Sequence, residues 1–173
     1  MKRTKLLALA LAGVMVLALL TGCSGGKTED RRIAENIADS MMKRSHRNVK
    51  EVSYSVPELS GAVRSAFAPG WLNEAGTGLD RYALTKDGRT VEDFLKDSLK
   101  AYEEGSNVYF FAFDATGESA YAQSERVAQG NIPALTVFSY RSVAPSSYTK
   151  LRVGVCHKTV GEKDYCLVVL VLA

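Results

Sequence analysis

Residues 148–173 read YTKLRVGVCHKTVGEKDYCLVVLVLA, and this closing stretch decides the fold. From Leu151 to Val155 apolar residues alternate with polar or small ones, which is the period of a strand with one buried face. Residues 166–173 include no polar side chain, so both faces of that second strand need cover. The sequence therefore predicts a terminal hairpin at the centre of a sheet that has other elements packed over each face.

The amino terminus resembles a bacterial lipoprotein signal. Basic residues precede the apolar run Leu6–Leu20, which is shorter than the roughly 20 residues that span a bilayer. The next residues, LTGC, resemble the lipobox that ends in the lipidated Cys23. Residues 1–22 are thus predicted to be a cleaved signal peptide, and Cys23 to carry acyl chains such as palmitate, which together anchor stably at about 0.8 kcal/mol per buried methylene. The alternative is an ordinary signal peptide followed by a free cysteine.

Beyond the signal, the chain has the charge and length of a single near-neutral domain. The 173-residue chain has a net charge of +3, and removal of residues 1–22 takes away three cations and no acid, which leaves a net charge of about zero. Such a domain lacks the dense basic face that nucleic-acid binding requires, so no nucleic-acid partner is predicted. Residues 23–30 are interpreted as the lipidated cysteine and a flexible tether, and residues 31–173 as one domain large enough for its own core.

The remaining cysteines lie in the terminal hairpin. Pairing centred on Gly161 sets Cys156 opposite Cys166, and an exported protein meets an oxidising setting. A disulfide between them is the preferred interpretation, stabilising by on the order of 3 kcal/mol in the chain-entropy model. The alternative is two buried free thiols. With no CxxC spacing and only His157 nearby, neither a metal site nor any other cofactor is predicted.

Periodicity, capping residues and β-propensity predict the other elements of an α+β fold. The predicted helices are Glu29–Lys43, Pro57–Phe67 and one that starts after Thr90. Val108–Phe113 is a predicted strand, and Trp71 is interpreted as a packing anchor, with a ligand-stacking role as the alternative. The secondary structure of residues 117–147 is ambiguous from the sequence. A helix at 119–129 and a strand at 135–140 are the interpretations of that segment.

The polar residues give little sign of catalysis. His46 lies in the basic cluster 43–47, which is typical of a solvated helix end and secondarily of a patch for an anionic ligand. His157 beside Lys158 is typical of an exposed residue at a hairpin end. No serine lies in a nucleophile elbow, and carboxylate pairs such as Glu92 and Asp93 are explained by helix capping. The chain is therefore predicted not to be an enzyme, and a degenerate hydrolase is the less favoured reading.

Several segments, in the same order, resemble the CAP superfamily, also called SCP-like extracellular domains. They are residues 52–59 before the second helix, 86–95 at a turn and helix start, 117–123 and the closing hairpin. The resemblance implies a three-layer α-β-α sandwich with a central antiparallel sheet and the hairpin at its core. In many members it also implies a cleft in which two histidines and two acids bind a divalent metal.

The family's metal ligands are incomplete in this chain. Ala83 matches the position of the first histidine, the second falls near Ser139 or Tyr140, and Glu118 matches one acid. One carboxylate without imidazole partners neither fixes a metal nor forms an acid/base pair. The resemblance thus implies a tentative cleft at Glu118, Ala83 and Ser139 that holds no metal.

These features predict a lipoprotein of the cell envelope, anchored to the cell membrane by lipid on Cys23 and facing the extracytoplasmic side. Its CAP-like domain is expected to bind rather than catalyse, and the ligand is a small apolar molecule, a cell-wall component or a protein. The alternative is a structural or adhesive envelope lipoprotein of another α+β fold without a ligand cleft.

Overall fold

The last strand of the chain is the central strand of the sheet. The computed structural model describes residues 28–140 and 147–173, and the predicted signal peptide 1–22 and lipidation site Cys23 lie outside them. The strands are β1 (Glu51–Ser53), β2 (Asn107–Asp114), β3 (Leu135–Phe138), β4 (Lys150–Val160) and β5 (Lys163–Leu172). Their order across the sheet is β1-β4-β5-β2-β3, and every β5 side chain from Tyr165 onward is buried. The predicted α+β class and the central position of the hairpin are confirmed.

Helices cover both faces of this sheet. They are α1 (Glu29–Arg44), α2 (the π-helical Leu59–Val63 continued by the α-helical Arg64–Ala66), α3 (Val91–Ser98) and α4 (Ala120–Ala128). Thr28, Thr90 and Ser119 accept hydrogen bonds from backbone N–H groups in the first turns of α1, α3 and α4. Since α1 starts at Glu29, the last two residues of the tether expected over residues 23–30 are helical.

Two apolar cores lie on opposite sides of the sheet. One packs α1 and α4 against alternate β5 residues such as Val168 and Leu170. The other packs α2 and α3 against the residues between them, such as Leu167 and Val169. Trp71 is 1% exposed in this second core, where it contacts Phe67 and Phe94, so its role as a packing anchor is confirmed. The result is a three-layer α-β-α sandwich.

The sheet is mixed rather than antiparallel throughout. Strand β1 runs parallel to β4, with Val52 opposite Leu151, whereas the other three strand pairs are antiparallel. After β1 the chain passes through α2, α3 and α4 before it reaches β4. These two strands are therefore joined by a crossover and not by a hairpin. The predicted central antiparallel sheet is therefore observed for three of the four strand pairs, and the pair at this edge is parallel.

The terminal hairpin has a register one residue away from the predicted one. Its turn is the two-residue Gly161-Glu162, with Val160 opposite Lys163. Gly161 has a φ of +63°, as the first central residue of a type II′ turn requires. Cys156 therefore lies opposite Leu167, and Cys166 lies opposite His157.

This register separates the two thiols. Because a shift of one residue moves a side chain to the other face of the sheet, Cys156 lies in the α2–α3 core and Cys166 in the α1–α4 core. Both cysteines are free, so the structure contradicts the predicted disulfide and agrees with the alternative of buried thiols. Burial raises the pKa of Cys156 to about 12 and also raises the pKa of Cys166, which keeps both thiols protonated and unreactive.

Candidate functional site

A pocket opens where the carboxyl ends of α1 and α4 meet the sheet. Its volume is about 620 Å³, inside the range of roughly 300–1,000 Å³ that is usual for small-molecule sites. Side chains of both helices, of the loop after α4 and of the two central antiparallel strands make its apolar wall. These are Met41, Val127, Ile132, Phe111, Leu170 and Leu172.

The pocket has this position because α1 and α4 run side by side in the same direction. Near their amino ends, Asp30 of α1 and Gln123 of α4 both contact His157. Farther along, Arg44 of α1 lies 3.7 Å from Glu125 of α4, measured between Nη2 and Oε2. Both helices therefore end at the same end of the sheet, and the space beyond their last turns forms the pocket.

The rim of the pocket is polar but close to neutral. Arg44, Ser45, His46 and Gln129 line it, and the charge of Arg44 is offset by the nearby carboxylate of Glu125. Burial lowers the pKa of His46 by more than hydrogen bonding with the backbone of Met41 raises it, so the imidazole is neutral at pH 7. A mainly apolar ligand suits this combination of apolar wall and neutral rim.

His46 is held against the sheet by a tyrosine. Its ring stacks on that of Tyr148, with the centroids 6.3 Å apart, and its Nδ1 is buried without a hydrogen-bond partner among the described residues. The hydroxyl of Tyr148 accepts a hydrogen bond from the amide of Asn107, whose Oδ1 accepts one from the backbone N–H of Tyr140 at 2.6 Å. The polar side of the pocket is thus fixed by a connected network.

The structure does not bring the three residues of the tentative cleft together. Ala83 packs against the α2–α3 core. Glu118 lies on the other side of the sheet, where its Oε1 accepts a hydrogen bond from Arg126, and that guanidinium stacks 4.5 Å from the centre of the Phe113 ring. Ser139 is exposed at the end of β3. Matching by sequence order ignored the sheet that separates Ala83 from Glu118.

Glu118 belongs to no metal-binding group among the residues that the structure describes. Its second oxygen, Oε2, is buried and has no hydrogen-bond partner among the described residues. Within residues 28–140 and 147–173, no group of three or more His, Cys, Asp or Glu side chains is arranged to hold a metal ion.

His157 joins three elements instead of lying exposed. Its side chain is 18% exposed on β4, with Nδ1 at 2.5 Å from Oδ1 of Asp30 and Nε2 at 2.8 Å from Oε1 of Gln123. The amide of Gln123 donates its own N–H to the carbonyl of Glu118, so its oxygen is left to accept from the imidazole. This arrangement allows both ring nitrogens to donate, which favours the imidazolium form of His157. The expectation of an exposed histidine is wrong.

The charge of His157 makes stability depend on pH. Burial lowers its pKa, but the hydrogen bond and charge of Asp30, together with Asp164 and Glu29, outweigh burial and raise it. A raised folded-state pKa gives stability that is complete below the unfolded value of about 6.5 and is lost as the pH rises through the folded value. We expect urea unfolding to show a lower free energy of unfolding at about pH 9 than at about pH 6.

The matched variant for this measurement is His157→Gln. It keeps a hydrogen-bonding side chain at the site and removes the titration, so the loss of stability between the two pH values should shrink. An equal loss in the variant and in the wild-type protein would show that His157 is not charged in the folded state.

None of the described helices is both long enough and apolar enough to cross a membrane. In comparisons with known proteins, no family model, no curated protein and no solved structure matches this chain.

Proposed function

We propose that the protein is a lipid-anchored lipoprotein on the extracytoplasmic face of the cell membrane, whose domain binds a small, mainly apolar molecule. The observation that carries the binding role is the pocket of about 620 Å³ between the carboxyl ends of α1 and α4. The basic leader, the apolar run and the lipobox ending in Cys23 support the anchor. Helices on both faces of the sheet support a CAP-like scaffold.

The direction of α1 determines how far the pocket lies from the proposed anchor at Cys23. Thr28, which caps α1, is five positions after Cys23. A 16-residue helix is about 24 Å long at roughly 1.5 Å per residue. The pocket at the far end of α1 therefore opens away from the end at which the tether enters the domain, and a ligand can reach it without crossing the membrane.

The state of the described reactive groups supports binding rather than catalysis. Both thiols are protonated and buried, and His157 has no free nitrogen to act as a base. In the pocket itself, His46 is neutral and stacks on Tyr148, while the walls offer apolar surface. Such a site gains affinity mainly by taking apolar ligand surface out of water.

The pocket is tested by blocking it. Ala128 lines it at the last residue of α4, so Ala128→Trp should fill part of its volume. The probe is the dye 8-anilinonaphthalene-1-sulfonate, whose fluorescence rises in apolar sites. We expect saturable binding to the wild-type protein and a dissociation constant at least about tenfold higher in the variant, a change of about 1.4 kcal/mol.

The control is Ala75→Trp, which adds the same side chain at an exposed loop residue that does not line the pocket. It should bind the dye like the wild-type protein, and circular dichroism should show that both variants are folded. Unchanged binding by Ala128→Trp would place the dye elsewhere and remove the pocket as the site. If the protein is instead a structural or adhesive lipoprotein without a ligand site, none of the three proteins should bind the dye saturably.

A further inference from the structure

Two large apolar side chains are exposed at the start of a short hairpin, which pairs Leu84 with Thr90. Tyr82 is 73% exposed and Leu84 is 67% exposed. Between and after them, Ala83 packs against the α2–α3 core and Thr85 is buried. Tyr82 lies in the turn over residues 80–83 and Leu84 in the first arm of the hairpin, so both are exposed within three residues of each other.

Hydrogen bonds across the hairpin hold this pair away from the core. The N–H groups of Thr85 and Val91 donate to the carbonyls of Arg89 and Ala83, each at 2.9 Å. The hydroxyl of Thr85 donates to the carboxylate of Asp87 in the turn of the hairpin. The two apolar side chains therefore cannot fold inward without breaking the hairpin, and their exposure is a fixed feature of the domain.

Three cations have no carboxylate partner among the described residues: Arg64, Lys86 and Lys158. Arg64 Nε donates to the carbonyl of His157 at 2.7 Å. Lys158 Nζ donates to the carbonyls of Ser65 and Phe67, at 2.9 and 2.7 Å. The positive charges of these side chains are therefore available to an external anion.

Contacts at the start of the hairpin bring Lys86 to the same region as the other two cations. The backbone N–H of Asp80 donates to the carbonyl of Trp71 at 2.8 Å, and the Trp71 ring contacts Phe67, whose carbonyl accepts the hydrogen bond from Lys158. Burial lowers the pKa of Lys158, and the charges of Lys86 and Arg64 lower it further, as expected when like charges lie near one another. Lys86 follows Leu84 by two residues, so it joins the apolar pair to the cationic cluster.

This surface lies at the end of the domain where the tether enters. Asp30, two residues after Thr28, contacts His157 at 2.5 Å, and the carbonyl of His157 accepts the hydrogen bond from Arg64. Thr28 is five positions after Cys23, so the two residues are at most about 18 Å apart in an extended chain at roughly 3.6 Å per residue. A lipid on Cys23 would therefore keep this end of the domain close to the bilayer.

Resting on the proposed anchor at Cys23, we propose that Tyr82 and Leu84, with Arg64, Lys86 and Lys158, form a docking surface for a bilayer with anionic headgroups. Exposed aromatic and apolar side chains enter the interfacial region of a membrane, and neighbouring cations are attracted to its negative surface. The tether raises the local concentration of the bilayer, so a surface of this modest size is sufficient. Docked in this way, the domain would hold its pocket away from the membrane.

The test uses the full-length lipidated protein in vesicles that carry brominated acyl chains, which quench tryptophan on contact. The vesicles are phosphatidylcholine with about 30 mol% phosphatidylglycerol, to supply negative surface charge. The reporter is Leu84→Trp and its control is Tyr140→Trp. Tyr140 is bonded to Asn107, which pairs with Leu172 at the end of the sheet opposite the hairpin turn. Trp71 is buried and common to both proteins.

We expect tryptophan at position 84 to be quenched at least about twofold more than tryptophan at position 140, and Lys86→Glu to reduce that difference. Equal quenching at the two positions in protein that floats with the vesicles would overturn the docking surface and leave the anchor standing. Cross-linking between copies through position 84, without quenching, would assign the surface to a second copy instead. Protein that fails to float would refute the anchor, and the docking surface would fall with it.

Discussion

Replacing Leu167 by alanine is expected to lower the free energy of unfolding by about 2–5 kcal/mol. Leu167 is completely buried on β5, where it lies between Ala112 of β2 and Cys156 of β4 and under the α2–α3 core. Truncation removes apolar contact and leaves a cavity that the central strand cannot close, because it is held on both sides by neighbouring strands. Urea unfolding of the wild-type protein and the variant measures the loss.

The matched control is Leu84→Ala, the same truncation at a side chain that is 67% exposed. In the absence of membranes it should change the free energy of unfolding by no more than about 0.5 kcal/mol. If the two truncations destabilise the protein equally, Leu167 does not occupy the centre of a packed sheet and the architecture described above is incorrect.

Gly154→Ala is expected to destabilise the protein by about 1–3 kcal/mol through overpacking. A Cβ at Gly154 would lie 2.7 Å from both Cβ and Cγ2 of Val56, and 3.2 Å from Cδ2 of Leu59. These distances are shorter than van der Waals contact, so the segment leading into α2 would have to move away from β4. The glycine is needed because α2 approaches the sheet closely at this point.

Gly61→Ala is the control, and its effect should have the opposite sign. Gly61 lies in α2, where an added Cβ would meet nothing within 4 Å. Alanine at such a helical position should stabilise the protein by about 0.4–1 kcal/mol, since it reduces the freedom of the unfolded chain. A loss of stability of similar size in both variants, measured by thermal unfolding, would contradict the close approach of α2 to Gly154.

The local pattern of apolar and polar residues was sufficient to predict much of the fold. The unbroken apolar run at the end of the chain can be satisfied only where both faces are covered, and β5 is indeed central. The repeat of apolar residues in α1 placed its end at Lys43, one residue before the observed end at Arg44. In both segments the residues that fix the element are neighbours in sequence.

The errors arose where a choice depended on geometry that sequence spacing does not contain. The observed register of the hairpin differs from the predicted one by a single residue. The turn has two central residues, Gly161 and Glu162, whereas the prediction centres it on Gly161 alone. That small difference moved Cys156 and Cys166 to opposite faces and removed the basis for a disulfide. The parallel pairing of β1 with β4 depends on a long crossover, which local pattern does not reveal.

The candidate site was the part of the molecule that sequence patterns predicted least well. His157 meets Asp30 and Gln123 from two other elements, 127 and 34 residues away in sequence. The pocket draws on the ends of α1 and α4 and on the sheet, and α4 lies in the segment whose pattern was ambiguous. One signal was present in the cluster 43–47 around His46, for which a ligand patch was the secondary reading.

The affinity of the dye for Ala128→Trp, set against its affinity for Ala75→Trp, tests most directly whether the domain binds ligands between α1 and α4. If the pocket is the binding site, the first variant should bind the dye at least about ten times more weakly than the second. Equal dissociation constants in two folded variants would contradict the account.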